Sequence, residues 1–390
     1  MITREELRRF NWPVFVAALM LVAVGLVFIW SASFRSEAEG AGRYYNYPLK
    51  QLLWAGVGLG AFAATLLVDY RRLRTHAYTF YFVLLALLVL VLITGRVRGV
   101  TGWFRLGPVK MQPSEFMKIA YVLVLARCLM YSDRHRRIRG LVVPFLVALV
   151  PMALILKQPD LGTALVFLPV LFLVLAVAGA RRLHLVAIAA LGLASLPVFW
   201  QTGLINDYQK ARVLGFIHRN NPERVRALSQ SLGVRFDTYQ QAQSVLTIGS
   251  GRIIGKGLGR GTQTRYEFLP EDHTDFIFSV IGEESGLAGT TLVIILYLTI
   301  GLAGLGVARR AREPFGRLVV IGMVALIEAQ ALINLAVAEG FMPVTGLTLP
   351  FVSYGGSSLL VSFIAVGLII NVGMRPEAVI AEGDDFEFDD

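Results

Sequence analysis

The sequence predicts an all-α, polytopic membrane protein with about ten transmembrane helices and a large extracytoplasmic loop between helices 7 and 8. Three observations carry this. Of 390 residues, 55% are hydrophobic and only 16% charged, against roughly 25% charged in a soluble domain. Apolar runs suited to a hydrocarbon core of about 30 Å recur along nearly the whole chain. In such a core each backbone N–H and C=O must be satisfied within its own segment, which selects helices over open strands. A single cysteine, Cys128, excludes a disulfide framework and a multi-cysteine metal site.

The ten runs cover about 14–30, 52–68, 78–94, 116–130, 141–156, 163–180, 185–200, 286–307, 318–338 and 357–373. The first follows Arg8 and Arg9 and ends near Ser31, Ala32 and Ser33, small residues that mimic a cleavage site. It is longer than a signal core of about 7–15 residues and reads as an uncleaved anchor. The second and third flank Arg71, Arg72 and Arg74. Entry to the fourth is Gln112-Pro113-Ser114-Glu115, with Ser114 as a helix cap and Lys118 one turn inside. Arg134, Arg136, Arg137 and Arg139 separate the fourth from the fifth, and a Pro-Asp break separates the fifth from the sixth. Arg181 and Arg182 precede the seventh, and four arginines from Arg309 to Arg317 lie between the eighth and ninth.

With a cytoplasmic N-terminus, 18 of the 37 Lys and Arg fall on inner segments, 9 on short outer loops and the remainder on the long loop 201–275. Long loops contribute little to orientation, so both termini are expected inside. Residues 1–373 then form one membrane domain. The segment 374–390, with seven acids from Glu377 onward, reads as a disordered cytoplasmic tail. The net charge of +10 alone fits nucleic acid, anionic lipid or an anionic substrate. Its distribution over membrane loops removes nucleic acid from that list.

Short outer loops that stay basic run against the orientation rule. The 95–110 loop carries Arg96, Arg98, Arg105 and Lys110 with no acid, and Lys118 follows. Singly these cations read as snorkelling to lipid phosphates, and together as a cradle for a diphosphate headgroup. In Lys157-Gln158-Pro159-Asp160-Leu161-Gly162-Thr163, Asp160 either caps the next helix and pairs with Lys157 or serves a site near the membrane surface. Within the long loop, Asp207, Asn221-Pro222 and Asp237 open three surface helices. The glycine-rich 249–261 stretch fails as a P-loop, since Ser250 and Gly257 stand where Gly and Ser or Thr are required, and it reads as a flexible basic linker.

The densest chemistry lies at 268–286, where Glu271, Asp272, His273, Asp275, Glu283 and Glu284 meet the eighth span. Asp275, at the edge of the apolar run, suits a general base. Its alternatives are a helix cap, or an oxygen ligand with His273 for a divalent cation. Residues 342–358, with Pro343, Pro350, Ser353, Ser357 and Ser358, read as a rigid turn packed near a cavity. Glu328, Gln330 and Asn334 are polar within the ninth span, as transport sites or as interhelical hydrogen bonds.

Four motifs in order, the 157–163 run, Tyr208-Gln209 with Arg212, Leu269-Pro270-Glu271 with His273-Thr274-Asp275-Phe276, and Pro343 to Gly346 followed by Leu349 to Ser358, resemble the SEDS family (shape, elongation, division and sporulation). The family includes RodA, FtsW and SpoVE, and the likeness leans toward the RodA branch. The resemblance implies a peptidoglycan glycosyltransferase of the bacterial inner membrane that polymerises lipid II during elongation, its site facing the periplasm or cell exterior. It implies a class B penicillin-binding protein transpeptidase as partner, with other elongation or division proteins, the nascent glycan strand and membrane lipids. It places the essential aspartate at Asp275. Substrate contacts are expected at Lys110, Lys118, Arg98, Arg105, Arg212, Asp160, Gln158, Glu271, His273, Ser353 and Ser357. No cofactor is implied beyond a divalent cation as an open option. One departure is Gly102, which stands before Trp103 where members usually carry Arg. A lipid flippase acting through Glu328 or Asp160, and a noncatalytic scaffold, are the alternatives.

Overall fold

In the computed structural model, the structure describes residues 3–38, 46–94, 96–97, 100–106, 109–201, 207–219, 221–232, 239–265 and 273–376. A short α1 (Arg4–Arg8) precedes α2 (Trp12–Ala38), α3 (Tyr47–Leu67) and α4 (Tyr70–Thr94). The described residues of the basic 95–110 loop pair as two small antiparallel ribbons, β1 (Arg96–Val97) with β2 (Val100–Thr101), and β3 (Phe104–Leu106) with β4 (Val109–Met111). Then come α5 (Pro113–Leu129), α6 (Val142–Lys157), α7 (Leu161–Ala178) and α8 (Arg182–Gln201). The long loop holds α9 (Asp207–Ile217), α10 (Pro222–Leu232), α11 (Tyr239–Gly251) and α12 (Thr262–Arg265), so the starts expected at Asp207 and Asn221-Pro222 are observed, while Asp237 lies outside the described residues. The chain closes with α13 (Ile277–Arg310), α14 (Pro314–Ala338) and α15 (Gly356–Met374).

Eight of the described helices are long and apolar enough to cross a membrane, namely α2, α3, α4, α6 (with the turn before it), α7, α13, α14 and α15. That is two fewer than the expected ten: the fourth expected run falls on the 17-residue α5, which carries Glu115 and Lys118 in its first turns, and the seventh on α8, whose apolar part is only Arg182–Ser195. At 25 residues α14 is about 37 Å long, enough for a hydrocarbon core with its borders. The centre of the bundle is α5, α14 and α15, which bury nearly all their faces. Around them α2, α3, α4, α6, α7 and α13 bury one stripe and turn large apolar side chains outward, the inverse of a soluble surface. In α2 the residues Val14, Leu21 and Ile29 enter the core, as befits an anchor that stays with the protein.

One end of the bundle is basic. There Arg71 and Arg74 reach Glu313 at 3.7 and 3.2 Å, and Arg375 pairs with Glu6 at 2.7 Å, tying the first and last helices together. The other end, where α5, α7, α14 and α15 meet the 341–355 segment, is the polar one and holds the candidate site.

Two local expectations change. The α5 cap is Gln112 rather than Ser114, because Pro113 occupies the first turn and Ser114 is buried with no hydrogen-bond partner among the described residues. The eighth span starts nine residues earlier than the apolar run, at Ile277, and breaks at Gly286 (φ 64°, ψ −155°). The glycine-rich stretch is not a slack linker. It lies against that break through Lys256 N–H to Glu283 O and Gly257 N–H to Glu284 O, both 2.9 Å, and Leu287 N–H to Arg252 O, 3.0 Å. Lys256 Nζ also pairs with buried Glu283 at 2.7 Å, and Ser31 Oγ donates to Glu284 Oε2 at 2.7 Å. A Cβ on Gly286 would sit 2.4 Å from Gly255 N. Gly286→Ala therefore combines a left-handed φ with a backbone clash, and we expect it to lower stability by roughly 2–4 kcal/mol in thermal unfolding of detergent-solubilised protein.

Candidate active site at the polar end of the bundle

Asp275 lies in the turn His273 to Phe276 that leads into α13, and the helix cap falls to Phe276, one residue later. The backbone of this turn is held from three directions. Asn334 Nδ2 donates to Asp275 O at 2.9 Å and to Leu347 O at 2.6 Å. Ser353 Oγ donates to Thr274 O at 2.5 Å while accepting from Leu349 N–H at 2.8 Å. Tyr354 N–H donates to His273 O at 2.9 Å, and Tyr47 stacks on the His273 ring at 4.4 Å between centroids. Gln51, on α3, fixes the other side of this strap, donating to Ser353 O at 3.1 Å and accepting from Gly355 N–H at 3.4 Å. Asn334 is one helical turn from the end of α14, so the Asp275 backbone lies about 6 Å inside that end.

Facing this turn is α9. Its Gln209 donates to Leu156 O at 3.4 Å, docking the helix over the end of α6. Arg212, half-buried one turn later, comes to the same glycine as Asp275: a Cβ on Gly346 would lie 3.8 Å from Asp275 Oδ2 and 4.0 Å from Arg212 Nη1. An acid and a fixed guanidinium, from segments more than 60 residues apart, therefore line one spot at the polar rim.

A second polar group lies beside it. Lys118 is 1% exposed, and its Nζ donates to Glu115 Oε1 at 2.9 Å and Gln330 Oε1 at 2.7 Å. Gln330 passes the connection on, donating to Thr348 O at 3.0 Å, and Thr348 Oγ1 bonds Ser358 Oγ at 2.9 Å. Asp160 caps α7 through Thr163 N–H at 3.0 Å, as one expectation held, and its second oxygen takes the Gln112 amide at 2.9 Å rather than Lys157, which is exposed. Burial pushes the Asp160 carboxyl above the usual carboxylate range, against the opposing pull of the Thr163 N–H. Ser357 Oγ accepts from Gln112 N–H at 3.3 Å and faces Lys110 O at 3.4 Å, which seats the β3–β4 ribbon on the bundle.

The site residues expected from sequence thus fall into groups. Asp275, Arg212 and His273 converge on the rim. Lys110 is exposed on β4 with Arg105 opposite it in register. Lys118 belongs to the buried network with Glu115 and Gln330, Asp160 caps α7 and holds Gln112, and Ser353 and Ser357 brace backbone. Gln158 is buried and donates to Leu88 O at 3.2 Å. Its Oε1 has no hydrogen-bond partner among the described residues and lies 3.6 Å from where a Cβ on Gly102 would be, the position of the departure from the SEDS pattern. Arg98, Glu271 and the Arg105 side chain lie outside the described residues, as does the acidic tail. Tyr47 and Gln51 were not foreseen, although a glutamine inside an apolar span is a signal of the kind that flagged Gln330. Among the described residues no three His, Cys, Asp or Glu gather as metal ligands.

Three comparisons bear on identity. A family model for FtsW, RodA and SpoVE, described as cell cycle protein, matches residues 11–377. The chain is 36% identical over 377 residues to a probable peptidoglycan glycosyltransferase FtsW of Geobacter sulfurreducens, covering 95% of this chain and 97% of that one. It is 31% identical over 426 residues to the peptidoglycan glycosyltransferase RodA of Treponema pallidum, covering 94% and 98%. Its fold matches a chain from a peptidoglycan synthase complex that coordinates polymerization and crosslinking, with TM-score 0.78, 31% identity and coverage of 94% and 98%. With the match spanning nearly every helix, the chain belongs to the FtsW/RodA/SpoVE family, the SEDS family that its motifs resemble.

Proposed function

We propose that the chain is a peptidoglycan glycosyltransferase that polymerises lipid II, with Asp275 as general base. The observation that supports this most directly is the meeting of the Asp275 carboxylate and the Arg212 guanidinium at Gly346, at the border of the bilayer. In the reaction an acceptor sugar hydroxyl attacks the anomeric carbon of the donor. The new glycosidic C–O bond forms as the bond to the diphosphate oxygen breaks, with inversion, and the hydroxyl proton passes to Asp275. The polyprenyl diphosphate leaves as an anion and needs no proton donor. Arg212, with exposed Lys110 and the other ribbon cations, supplies the countercharge. A site at bilayer-border depth suits a substrate whose chain stays in the membrane while its sugars stand in water.

The proposal extends to orientation and partners. The polar end faces the periplasm or exterior, both termini are cytoplasmic, and the partner is a class B penicillin-binding transpeptidase. We place the role in elongation: depletion in the host should round rod-shaped cells, whereas filaments would assign it to division.

The deciding experiment is polymerisation of fluorescent lipid II by the purified full chain with its transpeptidase partner. Glycan ladders are expected. Folded protein that gives none, but translocates lipid II in liposomes in a Glu328-dependent manner, would establish the transporter reading instead. In the same assay Arg212→Gln removes one charge-assisted contact and should raise KM for lipid II by roughly 10- to 100-fold, corresponding to about 1.5–3 kcal/mol, with Tm little changed.

A further inference from the structure

The glycine-rich 251–261 segment is absorbed neither by the catalytic site nor by the membrane-spanning helices. Its backbone is held at the α13 break by Leu287 N–H to Arg252 O at 3.0 Å and by the bonds of Lys256 and Gly257 to Glu283 and Glu284. Gly255 N–H closes it on Gly251 O at 2.8 Å. A segment so tied has a defined height. From Leu287 to Arg310 the helix runs about 35 Å, slightly more than a hydrocarbon core of about 30 Å. With Arg309 and Arg310 among the headgroups at the basic end, Leu287 stands at the opposite border of the bilayer.

The side chains carried at that height are the reverse of what an aqueous loop presents. Ile253 is 71% and Ile254 86% exposed, with Leu258 at 56%, and Leu287 beside them is 60% exposed at the head of the lipid-facing stripe of α13. Exposed arginines, Arg252 and Arg260, flank this apolar tip. Lys256, the third cation of the segment, is already paired with Glu283.

We propose that Ile253 and Ile254 form a wedge that enters the phospholipid leaflet on the site side. Their side chains lie among the acyl chains, and Arg252 and Arg260 reach the phosphates. The pattern is that of an interfacial anchor, apolar residues below the headgroups with cations at their level. Continuity with the Leu287 face of α13 and the flanking charges both fit a lipid surface as the occupant. Because the wedge is bonded to the residues around Gly286, it fixes the height of the break, and with it the 277–285 stretch of α13 that follows the Asp275 turn. The proposal concerns lipid contact and holds or fails independently of the glycosyltransferase reading.

The test is depth measurement by nitroxide labelling. In full-length protein with Cys128→Ser, a single label is placed through Ile254→Cys, and the protein is reconstituted in nanodiscs of phosphatidylethanolamine and phosphatidylglycerol without lipid II or partner. Labels through Leu298→Cys on the lipid face of α13 and Arg224→Cys on exposed α10 give the two reference environments. The expected result is strong collision with oxygen and nickel collision reduced to the Leu298 level. Nickel accessibility equal to that at Arg224 would overturn the proposal. So would protection that appears only when lipid II or the transpeptidase is added, since the occupant would then be the polyprenyl chain or a partner helix. Should the Ile254 variant fail to fold, Leu258→Cys gives the same reading from the neighbouring turn.

Discussion

Asp275→Asn is expected to abolish lipid II polymerisation while leaving the protein folded. A positioned base contributes about 10²–10⁴ in rate, and the amide cannot take the proton of the attacking hydroxyl. The architecture separates this loss from collapse of the site. The Asp275 turn is held through its backbone by Asn334, Ser353 and Tyr354, none of which needs the carboxylate. Asparagine is nearly isosteric, so thermal unfolding should shift little and lipid II binding should persist. Retained ladder formation by Asp275→Asn would remove it as the base. Asn334→Ala supplies the contrast: it breaks both the bond to Asp275 O and that to Leu347 O, so the turn loosens from the 341–355 segment. A positioning residue of this kind should lower kcat and stability together, where Asp275→Asn lowers kcat alone.

The elements legible in the sequence were those whose signal is local. Apolar runs outlined the bundle, and Asp207 and Asn221-Pro222 marked two helices of the long loop because start signals act within one turn. Asp275 was visible as a charged residue at an apolar border, and Arg212 through the Tyr208-Gln209 motif that resembles the SEDS family. Their meeting at Gly346 was not, since it depends on the packing of α9 against a segment more than 120 residues later. The glycine-rich stretch was misread for a similar reason. Its composition suggests slack, but Gly255 and Gly286 are required by close backbone approach to the α13 break, which composition cannot express. The start of the eighth span was missed because Ser279, Glu283 and Glu284 interrupt the apolar run. Each of these polar side chains is buried against a partner from α2, α11 or the 256–263 turn, so the helix extends past them.

Lys118 is where the two levels of reading diverge most, and Lys118→Met decides between them. From sequence it is a substrate cation. In the structure it is 1% exposed and holds Glu115 and Gln330 at 2.9 and 2.7 Å. Methionine fills most of its volume but leaves Glu115 as a buried carboxylate without its cation, and Glu115 Oε2 already has no hydrogen-bond partner among the described residues. Removing one member of a buried pair costs about 3–5 kcal/mol, which should appear as a large fall in Tm. The double variant Glu115→Gln with Lys118→Met should recover much of that loss, giving a coupling energy in the cycle that a solvated pair would lack. Because Gln330 carries the network on to Thr348 and Ser358, the single variant should also lose polymerisation in step with stability, and the double variant should regain part of both. A Lys118→Met protein with unchanged Tm and a raised KM for lipid II would instead assign the ammonium to the diphosphate.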